Sequence, residues 1–66
     1  MVVGENIKEL RKDKKMSQQA LAEKIGVSQK AIDYLERGVN EPKATYIVKL
    51  ADFFGVSADF LLGRDN

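Results

Sequence analysis

Apolar residues in this chain fall into five short groups, each spaced for a helix and each closed by a breaker. From about residue 4, Ile7 and Leu10 form a narrow stripe in an otherwise charged stretch. Ser17 is placed to cap the next group, Ala20, Leu21, Ala22 and Ile25. Gly26 ends that group, because glycine accepts the positive φ that follows a helix. Ser28 opens a third group, Ala31, Ile32 and Leu35, which closes at Gly38. After Pro42, Ile47, Leu50, Ala51 and Phe54 repeat at i, i+3, i+4, i+7, and Gly55 stops them. Ser57 opens a final turn carrying Phe60, Leu61 and Leu62 before Gly63. The spacing predicts helices over residues 4–14, 18–25, 29–37, 44–54 and 58–62, with one loop of any length, 38–43. The expected architecture is all-α. At 66 residues it makes a single domain, 1–66, which buries only about 60% of the surface its unfolded chain exposes.

Between the second predicted helix and the cap of the third stand only Gly26 and Val27. So short a join forces a sharp crossing, as in a helix-turn-helix. Such a crossing needs a small residue where the backbones approach, which Ala22 supplies. It also needs apolar side chains in the angle, and Leu21, Ile25, Val27, Ile32 and Leu35 are placed to fill it. With about 100° per residue and Gln29 at zero, Asp33 falls near ~40°, Arg37 near ~80°, Lys30 near ~100° and Tyr34 near ~140°. On the same wheel Ala31, Leu35 and Ile32 occupy the opposite side, at about 200–300°, and Glu36 sits near ~340°, at the border. One side of this helix is to be buried and the other presented whole. In isolation such a face is ordinarily just solvated. In a helix-turn-helix it is the face that enters the major groove of DNA.

The residue types suit that use. A glutamine at the helix start, Gln29, can pair with adenine N6 and N7. Lys30 can donate to guanine O6/N7 or to a phosphate, and Tyr34 offers a ring edge to a thymine methyl and a hydroxyl besides. Arg37, near the helix end, is better placed for a phosphate. Asp33 is the awkward member. It can accept from cytosine N4, or be held back by Lys30 or Arg37, and the sequence leaves both open. The start of the second helix, with Ser17, Gln18 and Gln19, brings free N–H groups and a positive dipole end toward a phosphate. A cap and a phosphate anchor can share that end.

Composition narrows the function classes. Histidine and cysteine are absent, which removes the commonest general base, the usual metal ligands and any disulfide framework. No catalytic residue, metal site or cofactor is expected. The balance of 11 basic and 10 acidic residues gives +1, so a nucleic-acid reader here must gather its cations on one face. The first third leans basic through Lys8, Arg11, Lys12, Lys14 and Lys15. No apolar run approaches the ~20 residues of a membrane span, no signal peptide is visible, and a cytoplasmic setting is expected.

The stretch "SQQALAEKIGVSQKAIDYLERG" resembles the helix-turn-helix of the lambdoid phage repressor and Cro family, also called the xenobiotic-response-element type. The flanks "IKELRKDKKMS" and "EPKATYIVKLADFFGVSADFLLG" resemble that family's first helix and its fourth and fifth. The resemblance runs from about residue 4 to 63. It implies a compact five-helix lambda-repressor-like fold. The implied function is sequence-specific double-stranded DNA binding by a bacterial or phage transcriptional regulator, most simply a repressor. A homodimer on a pseudo-palindromic operator is part of that expectation. The base readers would be Gln29, Lys30, Asp33 and Tyr34. Backbone contacts would come from Ser17, Gln18, Arg37, Asn40, Lys43 and Thr45, with Gln18 also orienting its neighbour in the third helix. Arg11 and Glu36 match positions the family often joins by a salt bridge, a structural role. The chain departs from many relatives at Lys43, where a small capping residue is usual, and at Glu41, a negative charge beside the expected phosphates. The alternative is a protein-interaction module, an antitoxin or adaptor, built on the same fold; Asp33 and the modest net charge favour it. Phe53, Phe60 and one of Leu61 and Leu62 are expected to form a small exposed self-complementary patch, to contact a further C-terminal domain, or to complete the core.

Overall fold

Serine hydroxyls start three of the helices. In the computed structural model, which describes residues 2–39 and 41–64, the order is α1 (Val2–Asp13), α2 (Gln18–Ile25), α3 (Gln29–Arg37), α4 (Ala44–Phe54) and α5 (Ala58–Leu61). Ser17, Ser28 and Ser57 accept from Ala20 N, Ala31 N and Phe60 N at 3.0, 3.1 and 2.9 Å. Each hydroxyl satisfies one of the orphan N–H groups of a first turn. Lys43 stands before α4, its extended backbone taking the N-cap position without any side-chain bond.

α1 departs from the expected 4–14 at both ends. It begins at Val2 and stops at Asp13. The stop has a local cause. Lys15 turns left-handed at φ 58°, and Met16 N donates back to Arg11 O at 3.1 Å, the geometry that ends many helices at glycine. At the other end Gly4 is buried rather than helix-initiating. A Cβ there would press on the Leu35 carbonyl oxygen and stand 2.8 Å from that of Glu36. α1 therefore crosses close against the end of α3, at a point where only glycine fits. The last helix is also shorter than 58–62, because Leu62 leaves it to form the closing turn.

Each helix sends one large side chain wholly into the core: Ile7, Leu21, Ile32, Leu50 and Leu61. Val3, Ala22, Leu35, Ile47 and Ala51 complete it. Ala22 is 1% exposed. Ile25 and Val27 lie only partly buried against this core. Of the C-terminal apolar residues, Leu61 is core, Phe60 remains exposed, and Leu62 is half-buried. Phe53 is half-buried too, edge-on to Phe54 at 5.1 Å and covered by the Lys14 ammonium at 5.8 Å. Asn6 ties α5 to α1: its amide donates to the carbonyls of Phe60 and Leu61, each at 3.1 Å.

One ion pair joins α1 to α3. Arg11 Nε and a terminal nitrogen reach the two carboxylate oxygens of Glu36 at 2.7 and 3.0 Å. A third Arg11 nitrogen donates to Met16 O at 2.8 Å. The side chains are 11% and 3% exposed. The hydrogen bond to Glu36 holds the Arg11 guanidinium above its usual pKa despite burial, which acts the other way.

Two stability outcomes follow. Gly4→Ala is expected to cost about 1–3 kcal/mol through overpacking against α3 backbone; an unchanged urea midpoint would show that α1 can slide freely. Glu36→Ala is expected to cost about 3 kcal/mol, because it strands a cation already taken from water. A loss below about 1 kcal/mol in the same denaturation would place the pair with ordinary surface pairs.

Candidate nucleic-acid interface

The turn between α2 and α3 sets the angle of the exposed face. Gly26 takes φ 75°, and both it and Val27 donate back to Ala22 O, the latter at 3.0 Å. Ser28 then caps α3 at once. No slack remains for α3 to rotate about the join, so its buried side, Ile32 and Leu35, determines which residues look outward.

Outward on α3 stand Gln29, Lys30 and Arg37, with Asp33 and Tyr34 half-exposed between them. The Tyr34 ring carries a cation on either side along the helix: Lys30 Nζ lies 5.8 Å and Arg37 Cζ 5.4 Å from its centroid. Such contacts orient long flexible side chains at modest energy. Arg37 Nε also donates to Asp33 Oδ2 at 2.9 Å, an i,i+4 pair with side chains 57% and 34% exposed. Of the two possibilities for Asp33, the free protein adopts the second, with Arg37 as the partner. At that exposure the pair contributes under about 1 kcal/mol, so a closer ligand can displace it.

Ser17 and Gln18 open α2 beside this face. The Ser17 hydroxyl is used as an acceptor by Ala20 N and retains its own O–H for donation. The N–H groups of Gln18 and Gln19 belong to the first turn and have no partner within the helix. The Gln18 side chain does more than its position in the sequence suggested. Its amide nitrogen donates to Glu36 Oε1 at 3.1 Å and reaches Asp33 Oδ1 at 3.4 Å. Its amide oxygen accepts from Gln29 Nε2. Sequence separations of 18, 15 and 11 give no periodic signal that would reveal such a hub.

Lys43 and Thr45 are exposed at the start of α4. Asn40 lies outside the described residues. The expected site residues that are described thus occupy the starts of α2 and α4 and the outer side of α3. Arg11 and Glu36 lie beneath, with Gln18 connecting them to Gln29. No helix among the described residues is long and apolar enough to cross a membrane.

Comparison with known proteins agrees with this geometry. The sequence profile described as "Helix-turn-helix" matches residues 7–61. An uncharacterized HTH-type transcriptional regulator of Bacillus subtilis, YqaE, is 38% identical over 96% of this chain and 55% of its own length. The chain spans about half the length of several such curated relatives. Among solved structures, the P22 c2 repressor in complex with a synthetic operator superposes with TM-score 0.88 at 37% identity, covering 98% of both chains. The N-terminal DNA-binding domain of SinR from Bacillus subtilis gives TM-score 0.87 at 33% identity, covering 98% of this chain and 93% of that one. A profile spanning residues 7–61 and a backbone shared with the P22 c2 repressor and SinR domains lead to one conclusion: the chain belongs to the helix-turn-helix family, in its phage-repressor and Cro-type branch.

Proposed function

We propose that this chain is the DNA-binding domain of a transcriptional repressor that works by occupying an operator. The observation that carries the reading is the outer face of α3, an unbroken polar arc whose angle is fixed by the Gly26 turn and the Arg11–Glu36 pair. The face fits the major groove, which admits one helix. Gln29, Lys30 and Tyr34 act as base readers. Asp33 either releases Arg37 to accept from a cytosine N4 or remains its tether. Ser17, the N–H groups at Gln18, Arg37, Lys43, Thr45 and Asn40 hold phosphates. A homodimer on a pseudo-palindromic site, with half-sites about 34 Å apart, follows from the same mode of docking. The setting is the cytoplasm of a bacterium or an infected cell. Support for the DNA partner comes from the operator-bound P22 c2 repressor and the SinR domain.

Selection of bound duplexes from a random library, followed by a salt titration, tests this. Affinity is expected to fall steeply with salt, as phosphate neutralisation requires; no binding to any duplex at low salt would leave the protein-interaction module as the surviving reading. Gln29→Ala is expected to relax preference at one base pair by about 1–3 kcal/mol with an unchanged melting temperature. An unaltered selected sequence would remove Gln29 from the readers. Arg37→Ala is expected to weaken all duplexes alike and to lower the salt slope by about 1. A shift in base preference would reassign it to the bases.

A further inference from the structure

We propose that the Glu36 carboxylate, held by Arg11, decides which atoms of the Gln29 amide are offered to DNA, and so acts as a positioning residue for adenine over guanine. The proposal rests on Gln29 being a base reader.

The argument is one of hydrogen-bond polarity. A carboxylate paired with arginine only accepts, whereas an amide has one accepting oxygen and two N–H donors. Glu36 Oε1 and Asp33 Oδ1 lie 3.1 and 3.4 Å from the Gln18 nitrogen. Gln18 can meet two carboxylates only with its NH2 group. Its oxygen is thereby directed at Gln29, which must answer with Nε2. One N–H of Gln29 is spent in that bond. Its oxygen and its other N–H remain. That pair complements adenine, which donates from N6 and accepts at N7. Guanine presents two acceptors, O6 and N7, and the Gln29 oxygen would face one of them unpaired.

The direction of the chain is fixed from its buried end. The Glu36 side chain is 3% exposed, while Gln29 is exposed. A single surface amide turns over readily, but here a flip of Gln29 would set its oxygen against the oxygen of Gln18. A flip of Gln18 would in turn set that oxygen against Glu36. The same bonds commit both Gln18 N–H groups inside the protein, so its phosphate contact falls to the main-chain N–H, while its side chain orients Gln29.

Glu36→Gln reverses the logic with little change in shape. The substituted amide turns its oxygen to Arg11 and its NH2 to Gln18. With only the longer 3.4 Å contact to Asp33 Oδ1 then holding its NH2 inward, Gln18 can turn over and present NH2 to Gln29, whose own NH2 is released toward the base. The measurement is competition binding on the selected operator, with A·T or G·C at the base pair that Gln29→Ala relaxes. The adenine-over-guanine ratio is expected to fall about tenfold at that pair, with preferences elsewhere unchanged. Gln18→Met leaves the Arg11–Glu36 pair in place and is expected to give the same local loss, which covers the case in which Glu36→Gln fails to fold. If Gln29→Ala relaxes the pair while Glu36→Gln and Gln18→Met leave its ratio at the wild-type value, the relay is wrong and the reader stands. A uniform loss across all duplexes also overturns it, since a purely structural role predicts that. If Gln29→Ala relaxes nothing, the base-reading assignment fails and the relay with it.

Discussion

A carboxylate taken out of water must find partners that replace the water, and Glu36 finds them in Arg11 and Gln18. Most of what matters in this molecule is tied to that requirement. The guanidinium comes from α1, the carboxylate from α3 and the amide from α2, so satisfying one buried charge fixes the mutual placement of three helices. A fully apolar contact at the same place would hold them together without specifying a rotation. The fork of arginine against a carboxylate has essentially one good geometry. Gly4 acts in the same region by a different means, letting α1 approach the end of α3 closely enough for Arg11 to reach.

A domain of this size has little energy to spare, and its apolar centre is thin: one wholly buried large side chain per helix. Local devices supply the remaining order. Serine caps start α2, α3 and α5, left-handed turns finish the helices, and the Asn6 amide secures α5 to α1. The outer face of α3 benefits from this rigidity. Tyr34 keeps Lys30 and Arg37 in place, and Asp33 offsets part of the positive charge through its pair with Arg37. Side chains already ordered in the free protein lose less freedom on binding.

The helices were legible because their signals are local. Serine caps, glycine stops and the i, i+3, i+4 spacing of Ile47, Leu50 and Ala51 do not depend on the rest of the chain. The start and end of α1 are not legible in the sequence, for the complementary reason. Lys15 takes a conformation that usually marks a glycine, and Gly4 sits inside a helix because of a neighbour more than thirty residues away. The exposed arc of α3 could be drawn on a wheel, and its residue types suggested DNA. Which partner restrained Asp33 could not be drawn, since Lys30 and Arg37 both lie within reach of it along the helix.

The sequence by itself determined an all-helical domain with a sharp turn at Gly26 and Val27, and a third helix with one wet side. Those features follow from periodicity, capping and the geometry of a two-residue join. Only the tertiary structure decided that Gln18 would stand between Glu36, Asp33 and Gln29. Hydrogen-bond direction depends on which atoms meet in space. Residues from α2 and α3 meet there only once Leu21 and Ile32 have packed both helices into one core.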